Sequence, residues 1–244
     1  MHILVTAGNT QVPIDKVRCI TNVFTGRTGT RIALEAQERG HELTLLTSHP
    51  ELVRTATKSG HGWTVKVYRT FDELEKEMEK TIRGGTLDAV IHCAAVSDYR
   101  AEGIYALAPG TQFRQADGRW TASGYPALVD KSSGKVKSDE PELWLRLLRT
   151  PKLVDRVRRE WHFQGILVKF KLEVGVSEDE LLEIADRSRR RSAADLMVAN
   201  SLETMAQWAY VGPLDGRYQR IDRKQLSPRL LEAVERLYQG ERDT

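Results

Sequence analysis

Cysteine is scarce in this 244-residue chain, with only Cys19 and Cys93 present. They form no CxxC pair and no His/Cys group at zinc-ligand spacing, which excludes a disulfide framework and a zinc ribbon. Two isolated thiols suit a reducing cytoplasm. Neither sign of charge dominates, since 37 Lys and Arg against 34 Asp and Glu leave a formal +3. That balance does not point to a nucleic-acid partner. Long apolar runs are absent as well. The longest, from Ala89 to Val96, is interrupted by His92 and falls far short of a membrane span. No basic segment followed by an apolar stretch opens the chain, so no secretory signal is expected. These absences predict a soluble, cytoplasmic protein with no membrane partner. At about 150 residues per domain the length predicts one large domain or two small ones. A chain of this size buries on the order of 70% of its unfolded surface and needs no staple to fold.

Familiar nucleotide motifs are also missing. No G-x-G-x-x-G follows the first apolar run, and the second ends in Thr47-Ser48 rather than in an acid suited to a ribose. No Tyr is followed four residues later by Lys, as short-chain dehydrogenases require. Nothing matches the P-loop pattern G-x-x-x-x-G-K-[ST] either.

What is present is alternation. Ile3-Leu4-Val5 and Leu87 to Cys93 read as buried strands, and Leu43 to Leu46, Val65 to Tyr68, Ile166 to Leu172 and Asp195 to Ala199 as further strands. Helical spacing separates them at Gly29 to Arg39, Phe71 to Ile82, Pro151 to Trp161 and Ser177 to Ser192, and a last helix runs from Ser227 to Tyr238. Ser177 and Glu180 stand at capping-box spacing. A half-buried strand is expected over Leu143 to Leu148, and a hairpin turn at Leu214 to Arg217. Parallel strands need crossovers, so this order predicts a Rossmann-like, doubly wound, mostly parallel sheet with helices on both faces. Residues 101–134 show little periodicity and read as an irregular insert or lid in a single α/β domain spanning 1–244.

In such sheets ligands sit at the carboxyl ends of strands, near the switch in strand order. Thr6-Ala7-Gly8-Asn9-Thr10 follows the first strand, and Thr25-Gly26-Arg27-Thr28-Gly29 precedes the first helix. Free amides at a helix start beside an Arg suit a phosphate, although Gly26 and Gly29 could serve only a turn and close packing. Ala94-Ala95-Val96-Ser97-Asp98-Tyr99 ends the fourth strand. Small residues there admit a ligand to the backbone, and Asp98 is either a nucleotide contact or a turn former. Lys135 and Lys137 fall on one side of an extended segment, and Arg187 and Arg191 share a helix face. Phe170 suits the core or a stacked base.

Taken together, Thr6-Ala7-Gly8-Asn9-Thr10-Gln11, Pro13-Ile14-Asp15 and Val17 to Asn22, with the Thr-Gly-Arg-Thr-Gly loop, resemble the opening signature of the phosphopantothenate–cysteine ligases, the phosphopantothenoylcysteine synthetases of coenzyme A biosynthesis. Ala94 to Tyr99, Lys135-Val136-Lys137, Thr150-Pro151, Phe170 to Glu173 and Asp195 to Asn200 follow in family order. The resemblance runs from residue 2 to about 238. It implies the stand-alone type, without flavin. It also implies a two-step ligation in which the carboxylate of 4′-phosphopantothenate attacks the α-phosphate of CTP or ATP. Pyrophosphate leaves, and the amine of L-cysteine then displaces the nucleoside monophosphate. Cations and Mg²⁺ carried on the nucleotide phosphates would offset charge repulsion.

By the same resemblance, Asn22 would hold the acyl-nucleotide, and Arg18, one turn earlier if that segment is helical, would hold substrate phosphate or carboxylate. Ala95 would touch substrate. Gly8, Thr10, Thr25, Gly26 and Arg27 would line the anion site. His92, Cys93 and Ala94 would meet the base, with Asp98 and Lys135 on the nucleotide. Leu148, Arg149, Thr150 and Pro151 would add backbone contacts and Phe170 would lie against the base or ribose. Arg187 and Arg191 stand where the family has lysines facing the triphosphate, and members are homodimers. The sequence departs from the pattern at Arg27, at Ser138 where a third lysine is usual, at both helix arginines, and at Ser201 where Asp is common. Arg keeps the charge but binds phosphate as a fork rather than a point. A ligase for another carboxylic acid and a non-catalytic nucleotide-binding protein are compatible with the same fold.

Overall fold

The computed structural model describes residues 1–54, 62–132 and 134–242. Along the chain run β1 (His2–Ala7), β2 (Gln11–Pro13), β3 (Cys19–Thr21), α1 (Arg27–Glu38), β4 (Glu42–Thr47), α2 (Glu51–Arg54), β5 (Trp63–Val67), α3 (Phe71–Gly84) and β6 (Ala89–His92). Then come β7 (Tyr99–Leu107), β8 (Gln112–Arg114), β9 (Arg119–Thr121), β10 (Leu128–Asp130), β11 (Trp144–Arg149), α4 (Leu153–Arg159), β12 (Ile166–Glu173) and α5 (Glu178–Arg191). The chain ends with β13 (Leu196–Ser201), β14 (Trp208–Leu214), β15 (Arg217–Asp222), a 3₁₀ turn (Arg223–Gln225) and α6 (Leu226–Arg242). These elements fall into two compact units, one of residues 1–10, 23–96 and 152–244, the other of 11–22 and 97–151.

The first unit is built on an eight-stranded sheet of order β15-β14-β13-β12-β6-β1-β4-β5. The six strands from β13 to the β5 edge pair in parallel, and β14 and β15 return antiparallel at the other edge. The fold is therefore the Rossmann-like, doubly wound type that the alternation predicts. Strands buried on both faces are apolar at every position rather than at every second one. In β1, Ile3, Val5 and Ala7 pack with α1 and α6, whereas Leu4 packs with α3 and α4. Each fully buried Ile, Leu or Val side chain contributes roughly 1.5–3 kcal/mol. Capping boxes start α3 at Thr70 and Glu73 and α5 at Ser177 and Glu180, each cap contributing about 1 kcal/mol. Strand order reverses between β1 and β6, so the carboxyl ends of these two strands form the switch-point crevice.

The second unit holds the three-stranded antiparallel sheet β10-β7-β11 and the hairpins β2–β3 and β8–β9. Its core is small: Ile104, Ala106 and Val136 are buried, and the rings of Phe113, Trp120 and Trp144 cluster with centroids 4.7–5.2 Å apart.

Two local expectations change. Residues 101–134, read as irregular, carry most of β7 and all of β8, β9 and β10. Three of these strands have three residues each, too few for a period to show. The segment between Arg18 and Asn22 is strand β3, paired with β2, and not a helical turn. Pro13, in register with Cys19, sits on an edge where its missing amide costs no ladder bond. Among the described residues no helix is long and apolar enough to cross a membrane.

Candidate functional site

In the first unit the chain after β1 and the start of α1 are pressed together. Gly8 has φ +95° and Gly26 has φ +85°, both in the left-handed region that glycine enters without strain. A Cβ on Gly8 would stand 2.1 Å from Ser48 Oγ, and one on Gly29 would stand 2.8 Å from Ala7 Cβ. The polypeptide thus packs backbone to backbone where the helix begins. Helix α1 has no acidic residue in its first turn, and Arg27 is exposed there. Amides in that turn have no partner within the helix and favour an anion. The glycines of this region are spread over two loops rather than one motif, and each meets a close neighbour of the protein itself.

The turns after β1 and β6 are stitched to each other. Cys93 N–H donates to Thr6 O at 3.2 Å, Ala95 N–H to Gly8 O at 2.8 Å and Thr10 N–H to Ala95 O at 3.3 Å. Gly8, Thr10, Gly26, Cys93, Ala94 and Ala95 are thereby brought into one place. Ser48 Oγ accepts the Asn9 amide at 2.9 Å and Tyr68 Oη donates to Ala7 O at 2.7 Å, fixing the turn from the β4 side. Cys93 accepts from the Gly29 amide, and burial pushes its thiol up to about 12. It is a protonated packing group, not a nucleophile.

His92 is buried, and burial with the nearby Lys169 charge lowers its pKa to about 4. Thr6 Oγ1 accepts from Ala94 N–H at 3.2 Å and lies 3.0 Å from His92 Nδ1. A neutral imidazole accepting the Thr6 hydroxyl proton satisfies both bonds. Lys169, the register partner of His92 on β12, donates to Ser188 O at 3.1 Å and Ser192 Oγ at 2.5 Å. Its ammonium is 3.8 Å from Asp155, and burial lowers its pKa to about 8. Phe170 is half-buried against the core on the α1 side. Arg191 reaches the same Asp155 at 3.6 Å, whereas Arg187 pairs with Glu183 at 3.0 Å on open surface. The two arginines do not act as one pair here.

In the second unit Asp15 organises the neighbourhood of Arg18. Its carboxylate accepts the amides of Val17 and Arg18 at 2.8 Å, the Val136 amide at 3.1 Å and Arg18 Nη2 at 2.7 Å. The Arg18 guanidinium, aided by these amides, holds the carboxyl far below its ordinary range. Arg18 Nη2 also donates to Val136 O at 2.9 Å, so the residue clamps the segment that carries Lys135 and Lys137. Val136 is buried and both lysines are exposed, as alternation predicts. Asn22 is half-buried just beyond β3. At the other end of this unit Thr150 donates from its amide to Asp98 O at 2.9 Å and from Oγ1 to Ser97 O at 2.7 Å. Leu148 and Arg149 pair with Arg100 and Tyr99, so Asp98 and Leu148 to Thr150 are neighbours.

Sequence reasoning passed over Arg223. It stands in the 3₁₀ turn before α6, half-buried, with Nη2 on Thr28 Oγ1 and Nη1 3.4 Å from Asn200 Oδ1. Flanked by Asp222 and Lys224, it has no local sequence feature that separates it from a solvated charge run. Lys169 was missed because it interrupts a strand otherwise apolar to its middle, which gives no functional signal by itself.

Residues 1–106 match the family model described as the DNA/pantothenate metabolism flavoprotein C-terminal domain. The chain is 32% identical over 244 residues to the coenzyme A biosynthesis bifunctional protein CoaBC of Thermococcus kodakarensis, covering 97% of this chain and 51% of that protein. It is 28% identical over 207 residues to CoaBC of Escherichia coli K12, covering 85% and 42%. The chain thus spans about half the length of these curated relatives or less. Its fold is shared with the DNA/pantothenate metabolism flavoprotein of Streptococcus pneumoniae at TM-score 0.76 and 27% identity, over 97% of this chain and 99% of that one. A Cab2 mutant solved in complex with phosphopantothenate-cysteine has the same fold at TM-score 0.68 and 17% identity, over 100% and 89%.

Proposed function

We propose, from the match of residues 1–106 to the DNA/pantothenate metabolism flavoprotein C-terminal domain model, that the protein is a phosphopantothenate–cysteine ligase of coenzyme A biosynthesis. It joins 4′-phosphopantothenate and L-cysteine through an acyl-nucleotide. The observation that carries this reading is the meeting of the turn after β1 with the start of α1 at the switch point, where the helix has no acidic residue in its first turn and its end favours an anion. A Cab2 mutant of the same fold was solved in complex with phosphopantothenate-cysteine.

The residues divide the work. Gly8, Thr10, Thr25, Gly26 and Arg27 receive nucleotide phosphates, and the backbone of His92 to Ala94 with Phe170 meets the base or ribose. Asp98, Lys135, Leu148, Arg149, Thr150 and Pro151 add nucleotide contacts, with Arg187 and Arg191 as outlying cations. Asn22 and Ala95 hold the acyl-nucleotide. Arg18, with its charge committed to Asp15, acts mainly by holding the Lys135 segment in place. Among the described residues no group of three or more His, Cys, Asp or Glu could bind a metal ion. Mg²⁺ carried on the triphosphate would neutralise the leaving pyrophosphate. Positioning supplies much of the remaining rate.

The protein acts as a homodimer in this reading. What supports a partner is that several large apolar side chains of the second unit are exposed, among them Tyr99, Leu128, Val129 and Leu147. Light scattering at working concentration checks it.

The test is pyrophosphate release with Mg²⁺, 4′-phosphopantothenate and either CTP or ATP, with and without cysteine. Amide product by mass, with one nucleotide preferred, is the expected result and assigns the nucleotide. Asn22→Ala should lower product formation by at least about 100-fold while nucleotide still binds. Release with another acid, or binding without release, would replace the reading by a different ligase or a binding protein.

A further inference from the structure

We propose that Arg223 is a phosphate-binding residue, gripping the phosphate chain of the nucleoside triphosphate beside the start of α1. The proposal rests on the ligase reading and deepens it, since neither the family motif nor the sequence pattern reaches this position. Three observations carry it. The guanidinium lies beside the start of α1, with Nη2 on Thr28, the second residue of that helix, and Nη1 toward Asn200 at the end of β13. Its side chain is half-buried, near Cys93 and Arg31. Both of its hydrogen-bond partners are neutral, and among the described residues no carboxylate pairs with it.

Buried arginines ordinarily recruit a carboxylate, because a desolvated charge without a counter-charge is costly. Here burial and the Arg31 charge lower the pKa of the guanidinium, the direction expected of a cation that lacks its anion. The other half-buried arginines differ. Arg39 pairs with Glu35 and Glu235, and Arg158 pairs with Asp195. A planar fork of five donors needs more than one hydroxyl and one distant carboxamide, and adjacent phosphate oxygens match it. Such an anchor also offsets the cation that Ser138 removes from the lysine motif. Thr28 and Asn200 then act as supports that fix the plane of the fork.

The experiment compares wild type with Arg223→Met and Arg223→Lys by calorimetric titration with CTP, ATP, CMP and AMP in Mg²⁺, alongside thermal melts. Arg223→Met should weaken the bound triphosphate by about 10- to 100-fold and the monophosphate by less than about 3-fold. Arg223→Lys, keeping charge without the fork, should fall between. Equal losses for triphosphate and monophosphate, or no loss in either variant, would overturn the assignment. If Arg223→Met does not fold, the triphosphate-to-monophosphate ratio of Arg223→Lys decides alone. Wild type that binds neither nucleotide sinks the ligase reading, whereas wild type that turns over with unaltered variants sinks only the role of Arg223.

Discussion

A Cβ placed on Gly26 would stand 2.1 Å from the backbone nitrogen of Gly8. No side chain can be accommodated there without separating α1 from the turn after β1. The closeness places the start of the helix over the end of the strand, and with φ +85° it makes Gly26 irreplaceable on two counts.

Gly26→Ala should therefore abolish nucleotide binding and destabilise the fold together. Left-handed backbone costs about 1–2 kcal/mol for a residue with Cβ, and the clash with backbone adds to it. Since about 1 kcal/mol moves the melting temperature by roughly 2–4 °C at this size, a drop of about 5 °C or more is expected. Gly40→Ala is the control, because its Cβ would meet nothing within 4 Å although φ is +81°. It should show the backbone cost and keep nucleotide binding. Calorimetry and nucleotide titration on both variants check this.

His92 makes the fold acid-sensitive. Its pKa is about 4 in the folded protein against 6.5 in the unfolded chain, so below pH 6.5 the unfolded state takes up the proton first. Stability should fall as pH drops from 6.5 to 4 and be indifferent to this group above 6.5. The full contribution is about 3 kcal/mol. Urea unfolding at pH 7 and pH 5 should show a larger acid loss in wild type than in His92→Asn. Equal losses would mean that His92 is protonated in the fold.

The parallel sheet and its helices were legible because each strand is an apolar run closed by a turn and each helix has a clear stripe. The capping box at Ser177 even marked the start of α5. Short strands such as β8 and β9 were not legible, because three residues with exposed ends carry no pattern. The site was legible where glycine or a small residue marks close backbone approach. It was illegible where function depends on reach. Nothing local distinguishes Arg223, which crosses to Thr28, from Arg220, which lies over the ring of Trp208 at 3.7 Å. Arg18 shows the reverse case: the resemblance implied a ligand contact, and the fold engages it with Asp15 first.

That engagement can be measured directly. The Val136 amide donates to Asp15 Oδ2 and the Val17 amide to Oδ1. Asp15→Ala should raise hydrogen exchange at both amides by about 10-fold or more while the eight-stranded sheet keeps its protection. Arg18→Lys should lower turnover less than Asp15→Ala, because it keeps one donor to the carboxylate. Unchanged exchange at Val136 in Asp15→Ala would show that the segment is held by other contacts.

Lys169 sets the alkaline side of the stability curve. Its folded pKa is about 8 against 10.5 for an unperturbed lysine, since burial outweighs the attraction of Asp155. Between these values the folded protein gives up the proton while the unfolded chain keeps it. The unfolded state then binds more protons, and stability rises with pH across that window. Below about 8 both states are charged and the whole desolvation cost is borne by the fold. From pH 7.5 to 10.5 the Lys169 contribution should improve by about 3 kcal/mol. Lys169→Met fits the same apolar stem and should remove the rise, so wild type and variant converge as pH increases. Denaturant unfolding at pH 7.5, 9 and 10 reads the difference between the two proteins, which cancels other titrating groups. A difference that does not change with pH would show that Lys169 stays charged throughout, its ammonium held by Ser188, Ser192 and Asp155.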